Sequence, residues 1–322
     1  RGTLRRGRAM GEHILAVSGS SMVLDERAFL IKGLRCSNAL ISDRTTGSLV
    51  ENLGLFAGYG VNAVSVYWMG SRFGDVRGYR RDASLDPVYA ARMACIIEAA
   101  DRRAMVVLVG CLYWGHSKAK WPGWTQREAD RAVHNTVTWL REHNYRNVFV
   151  DVDNEGMARR EMGFDNRAMV LAGKEADPAC LIATNYHGDP PPEADVAIHH
   201  SNEVPGKPYI ETEGSPRDVP DEGGYWGPYS KPGGGTYNYH RVGVYTEAMI
   251  ASQKALTREH LDRGRGYLLA STWLQAAPPL GPNHCPGGNG TAADPGIRWW
   301  LHFLREHYGP YFPGMGEEER AR

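Results

Sequence analysis

Short apolar runs recur along this chain, separated by polar segments in which apolar residues return every third or fourth position. The runs at 31–40, 61–68, 104–114, 147–154, 180–186, 195–200, 208–213 and 266–274 carry Val, Ile, Leu and aromatic residues and read as strands. The segments 46–58, 86–103, 125–144, 160–175, 243–263 and 297–307 read as helices. In 125–144, Val133, Val137 and Leu140 fall on one side and charges on the other. Alternating strands and helices imply parallel strands joined by helical crossovers. Eight such strands predict an α/β fold closed into a (β/α)8 TIM barrel. The intervals between the fifth, sixth and seventh strands are short, so helices there are expected to be reduced or missing. An open doubly wound sheet would usually carry a phosphate-binding glycine fingerprint after an early strand, and the sequence has none.

Residues 14–34 hold two strand-like stretches around polar turns, which predicts an N-terminal β-hairpin closing the bottom of the barrel. The expected organisation is one catalytic domain over 1–322, with the hairpin at 10–34 and the barrel at 35–308. Two long segments, 214–242 and 275–296, have loop composition and follow the seventh and eighth strands. Barrels build their sites on the loops after strand C-termini, and long loops in compact domains tend to be functional or disordered. The Tyr and Trp residues of the first loop favour function.

Composition narrows the classes. The 322 residues are 42% hydrophobic and 23% charged, ordinary for a globular chain that can bury a core unaided. Formal net charge is zero, so no basic footprint for nucleic acid is expected. No apolar run of about 18 residues exists, which argues against a membrane-spanning helix. Residues 1–9 are basic, but no apolar stretch follows, so no signal peptide is read within this sequence and the cellular location is left open. Oligomeric state is likewise left open. The cysteines Cys36, Cys95, Cys111, Cys180 and Cys285 are scattered and odd in number, which predicts neither a disulfide framework nor a zinc knuckle. Nine Trp and 16 Tyr outnumber the seven Phe; flat rings with a polar edge suit sugars and cores alike.

The chemistry concentrates at two strand ends. In NVFVDVDNEG (147–156) alternation puts Phe149, Asp151 and Asp153 on one face and Val148, Val150 and Val152 on the other. The valines belong against the helices, so the acids point inward and Asn154-Glu155 sits at the mouth. Buried acids are costly unless paired or useful; a structural ion-pair cluster is the plainer reading. In PYIETEGS (208–215), Glu211 and Glu213 share a face, with Glu213 at the strand's end. Two carboxyl groups on different strands of a rigid barrel are what glycoside hydrolysis requires.

These segments resemble the clan A glycoside hydrolases, whose catalytic glutamates end barrel strands four and seven. Asn154-Glu155 matches the fourth-strand signature and Pro208 to Gly214 the seventh. Asp153-Asn154-Glu155-Gly156 and Gly60-Val61-Asn62-Ala63-Val64 through Tyr67-Trp68 are similar to the β-galactosidase branch. The resemblance spans roughly residues 31–305. It implies a retaining glycosidase acting on an oligosaccharide or polysaccharide, without cofactor or metal. Glu155 would be the acid/base and Glu213 the nucleophile. Asn154 would bind the hydroxyl beside the anomeric carbon, Trp273 would form a platform under the sugar, and His200 matches a histidine of the clan. Further candidate lining residues are Tyr113, Trp114 and His116 after strand three, Asn185, Tyr186 and His187 after strand five, and Tyr225 and Trp226 of the first long loop. Of the two glutamates, Glu155 is expected to be the one with the raised pKa.

The sequence also departs from that pattern. Gly156 stands where cellulase-type members have Pro, and Ser65 where they carry a strand-two Arg. Arg35 on strand one either takes that role or pairs with Glu211. Ser201-Asn202 replace the Tyr that usually follows the strand-six His, and a Tyr of 225–239 is the candidate substitute. Two other readings stay open. One is a metal-dependent barrel hydrolase using Asp151, Asp153, His187, His199 and His200, against which no spaced His-x-His follows strand one. The other is a non-catalytic carbohydrate-binding barrel.

Overall fold

The computed structural model describes residues 11–70, 76–114, 121–214, 247–271, 274 and 296–312. Three short strands come first: β1 (Leu15–Ser18), β2 (Ser21–Leu24) and β3 (Arg27–Ala28), paired antiparallel. The expected hairpin thus carries a third strand. Leu15, Met22 and Leu24 turn inward and are buried. The Leu15 amide donates to the carbonyl of Arg146, just before a barrel strand begins, at 2.9 Å. That bond ties the small sheet to the N-terminal end of the barrel.

Eight parallel strands close the barrel. In chain order they are β4 (Lys32–Arg35), β5 (Ala63–Tyr67), β6 (Val106–Leu112), β7 (Val148–Asp153), β8 (Ile182–Thr184), β9 (Val196–Ile198), β10 (Tyr209–Gly214) and β11 (Gly266–Leu269). Each lies within or beside a run read from the sequence. Pairing of β11 with β4 and of β9 with β10 completes the ring. Every residue of β6 and β7 is buried, because one face packs inside the barrel and the other against helices. The first predicted strand reached too far. The backbone turns after Arg35, and Ser42 opens α1 (Asp43–Gly58) with a reciprocal cap to Thr45.

The helices that follow are α2 (Pro87–Asp101), α3 (Gln126–Glu142), α4 (Met157–Met162), α5 (Asn166–Ala176), α6 (Glu247–Leu261) and α7 (Arg298–Tyr308). Local chemistry starts several of them. Asp86 caps α2 with Pro87 at its first position, Thr125 and Glu128 cap α3, and Asp165 caps α5. No helix lies between β8 and β9 or between β9 and β10, as their short spacing predicts. Among the described cysteines Cys36 and Cys111 are buried, Cys180 is half-buried, Cys95 is exposed, and all four are free. No described helix is long and apolar enough to cross a membrane.

Candidate active site

The C-terminal ends of seven barrel strands deliver side chains to one mouth. Arg35 ends β4 and Tyr67 ends β5; Tyr113 follows β6, Asn154 and Glu155 follow β7, Asn185 follows β8, His199 and His200 follow β9, and Glu213 lies near the end of β10. The end of β11 would add Trp273, which lies outside the described residues, as do His116, Tyr225, Trp226 and nearly all of both long loops.

Glu155 sits on a left-handed turn. Its φ is 54° and that of Gly156 is 60°, so the chain reverses out of β7 through a short 3-10 turn (Asn154–Gly156) into α4. Proline, held near φ −65°, cannot occupy position 156, which explains one departure from the cellulase pattern. A Cβ at Gly156 would also approach the Tyr186 Cβ to 2.7 Å. Asp153 fixes this turn: its carboxylate accepts from the amides of Ala158 (2.9 Å) and Arg159 (3.0 Å) at the start of α4. Burial nevertheless pushes its pKa up to about 7. Arg160 donates to the Glu155 carbonyl.

A buried polar network lies under the mouth. The Arg35 guanidinium is fully buried, 2.6 Å from Glu213 Oε1, and donates to Asn154 Oδ1 at 2.8 Å. It also stacks over the rings of Tyr67 and Tyr113, at 5.1 and 5.6 Å from their centroids. Arg35 therefore joins Glu213 and not Glu211. The Tyr67 hydroxyl donates to Asp151 at 2.8 Å, and Asn185 reaches Asp151 and Asn154 at 3.4 and 3.3 Å. With these partners beside it, Asp151 is raised by burial only to about 6. Asn154 has its oxygen held by Arg35 and Asn185, while its Nδ2 is buried without a hydrogen-bond partner. A buried donor without a partner is uncommon, since buried polar groups are nearly always hydrogen-bonded.

His199 links two acids. Its Nδ1 lies 2.6 Å from Glu211 and its Nε2 3.5 Å from Glu213. Burial disfavours its charged form, yet Glu211 and then Glu213 and Glu155 raise its pKa overall. Glu211 also accepts from the Glu213 amide at 2.8 Å, across an irregularity in the β10–β11 register. The next imidazole, His200, stacks on His199 at 4.0 Å and on His187 at 4.1 Å, with its Nε2 3.7 Å from Glu155. Burial and these two neighbours lower it to about 3, so it is neutral. Glu213 is raised to about 7 by burial and by Glu155, against the opposing pull of Arg35 and His199. The expected elevation thus falls on the other glutamate.

The structure separates two neighbours that the sequence treats alike. Tyr113 meets Arg35 and packs edge-on against Tyr67, whereas Trp114 packs against Trp124 and Phe164. Tyr67 and His199 are network members that the sequence reading did not select as site residues. The first lay within a quoted motif, and the second was named only as a metal ligand. The strand-end position of each was the available signal.

Among the described residues, one group could converge on a cation: Glu155, His199 and Glu213, with ligand atoms within 4.8 Å of one another. The donor set fits poorly. Glu213 already faces the Arg35 guanidinium, and His199 directs one nitrogen at Glu211 and the other at Glu213. A guanidinium and an imidazole already engaged with acids hold the ground a metal would need. Of the acids named for that reading, Asp151 is bound by Tyr67 and Asp153 by helix amides.

No protein-family model matches the sequence, and no curated protein sequence matches it. Solved structures do. A glycoside hydrolase family 5 protein from Bacteroides vulgatus superposes with a TM-score of 0.56 at 14% identity, over 91% of this chain and 68% of that one. The chain has the barrel fold of such glycoside hydrolases. A β-mannanase from the blue mussel Mytilus edulis aligns at 12% identity and TM-score 0.52, over 93% and 98% of the two chains. A hyperthermophilic endocellulase from the archaeon Pyrococcus horikoshii aligns at 11% and 0.53, over 93% and 99%. At such identities the likeness is one of fold, and the argument for chemistry rests on the residues at the mouth.

Proposed function

We propose that this protein is a retaining glycoside hydrolase, with Glu213 as nucleophile and Glu155 as general acid/base. One observation carries the reading: a carboxylate oxygen of Glu155 lies within 4.8 Å of one of Glu213, at the ends of the fourth and seventh strands. Retaining pairs stand about 5–5.5 Å apart, whereas inverting pairs need roughly 6.5–9.5 Å to admit a water.

The surroundings give the two acids different tasks. Burial and the neighbouring Glu155 raise Glu213 to about 7. Arg35 and His199 flank Glu213 and favour its carboxylate, the form that attacks, while Glu155 is the acid. Glu213 then attacks the anomeric carbon while the bond to the leaving oxygen breaks and Glu155 hands that oxygen its proton. Water next attacks the glycosyl ester, Glu155 takes the water's proton, and Glu213 leaves as carboxylate. Asn154 Nδ2 donates to the sugar hydroxyl beside the reacting carbon. The mannanase and endocellulase among the structural neighbours make β-linked hexose chains the first substrates to try.

The test is a screen of aryl glycosides, β-mannans and β-glucans with wild type and Glu213→Gln. Hydrolysis by wild type, loss in the variant, and a first product of unchanged anomeric configuration by NMR are expected. An inverted first product, or full activity in Glu213→Gln, would overturn the assignment.

A further inference from the structure

An aromatic recess lies at the C-terminal end of the barrel, the end that carries the glutamates. It is formed where the segment after β5 meets the segment after β6, and it measures about 430 Å³. Arg81, Trp121, Pro122, Gly123, Trp124 and Glu128 line it. That volume is within the ~300–1,000 Å³ of small-molecule sites.

Its indoles are already fixed. Trp121 Nε1 donates to the Tyr79 carbonyl at 3.0 Å and Trp124 Nε1 to the Arg81 carbonyl at 2.9 Å. The polar edge of each ring is thereby satisfied and its orientation set, and Trp121 keeps apolar ring surface for other contacts. Trp124 is buried, packed between Tyr79 and Trp114, while Trp121 is half-buried. Polar groups of both kinds stand beside the rings. Arg81 is exposed and supplies donors. Glu128 uses Oε2 to cap α3 through Thr125, and its pKa is lowered by that cap, so it stays an acceptor. At the tip, a Cβ added to Gly123 meets nothing within 4 Å, so the recess is open there.

A rigid apolar platform with one donor fork and one carboxylate suits a pyranose ring: the ring's C–H face lies on the indole, and adjacent hydroxyls reach Arg81 and Glu128. An anion would meet Glu128, and a flat hydrocarbon would leave both charged groups unused. Two consecutive buried residues lie between the recess and the catalytic mouth. Tyr113 touches Arg35 beside Glu213, and Trp114 touches Trp124. We infer that the Trp121–Trp124 recess is a remote sugar-binding subsite, which makes the substrate an extended oligosaccharide or polysaccharide and not a simple glycoside. This deepens the hydrolase reading and rests on it for the word substrate, but binding at the recess can be measured without turnover.

Gly123→Tyr fills the open tip with no clash at Cβ, Trp121→Ala removes the platform, and Trp121→Phe keeps a ring while losing the indole N–H. Binding is measured by calorimetry with manno-, cello- and xylo-oligosaccharides of two to six units, each variant made in a Glu213→Gln background. Turnover is measured as the ratio of kcat/KM on the longest oligosaccharide to that on its aryl monoglycoside. Gly123→Tyr and Trp121→Ala should weaken binding of long oligosaccharides and lower the ratio by about ten-fold, with Trp121→Phe in between. A merely structural Trp121 would lower thermal stability without changing the ratio, and that result overturns the subsite. So does an equal ratio in Gly123→Tyr, or failure of the Glu213→Gln protein to bind any of the sugars. If wild type hydrolyses nothing while recess-dependent binding persists, the catalytic reading falls and the subsite stands.

Discussion

The two glutamates end strands of one barrel, yet their seats are built differently. Glu213 belongs to β10 itself, is 4% exposed, and is gripped by Arg35 at 2.6 Å with His199 at 3.5 Å. Glu155 stands two residues beyond its strand on a left-handed turn, has a side chain 15% exposed, and faces Glu213 and a neutral His200, the latter at 3.7 Å. A carboxylate held by a guanidinium and an imidazole keeps one orientation. A carboxyl on a turn beside solvent can trade a proton with a leaving group and with water. The contrast between a gripped acid and a loose one is the physical basis for naming the first as nucleophile.

The hardest blow to that contrast is removal of either acid. Glu213→Ala should lose turnover by on the order of 10⁴-fold or more on every substrate. Glu155→Ala should lose about 10²–10⁴-fold on substrates with poor leaving groups, and far less on nitrophenyl glycosides, which need little protonation. Azide should accelerate Glu155→Ala and give a glycosyl azide of retained configuration, whereas with Glu213→Ala it should give the inverted one. Products exchanged between the variants would reverse the roles.

Loosening the grip comes next. Arg35→Met leaves Glu213 buried without its ion-pair partner and should cost about 3–5 kcal/mol in urea denaturation. A loss under about 1 kcal/mol would mean the pair contributes little to folding. Tightening the loose seat is gentler. Gly156→Ala puts a side chain at φ 60° and against Tyr186, and strain of about 1–3 kcal/mol should appear as a lower Tm, with kcat falling because Glu155 shifts.

The smallest effect is on pH. Glu213 must be ionised to attack and is raised to about 7, so kcat/KM should rise as pH passes upward through that value. In Glu155→Gln one of the charges that raises Glu213 is gone. With activated aryl glycosides the acidic limb should then move to lower pH. A wild-type profile flat from about pH 5 to about 9 would show that ionisation of Glu213 does not limit turnover.

The two loops after β5 and β6 show where sequence reading stops. Trp121 and Trp124 are visible in the sequence as aromatics in a polar stretch, but nothing local says their indoles bond to carbonyls 42 and 43 residues away. The same holds for Tyr67, an apolar strand residue until Asp151 meets its hydroxyl. The barrel was legible because apolar runs and their spacing are local, and eight strands with helical intervals leave few closed arrangements. The third N-terminal strand was missed because β3 is two residues long and both are exposed.

The sequence by itself determined that Asp151 and Asp153 share a face, that Glu155 and Glu213 end the fourth and seventh strands, and that helices are scarce between the fifth and the seventh. Alternation and interval length carry that information without any knowledge of neighbours. Only the tertiary structure decided what each acid does with its charge. Arg35 reaches Asn154 across 119 residues and Thr212 across 177, and that reach gives Glu213 a cation in place of Glu211. Glu211 takes His199 instead, and Asp153 turns from a candidate ligand into the cap that holds Glu155's turn. Burial and opposite charge set pKa and role, and both depend on residues brought together by barrel closure, which no local pattern encodes.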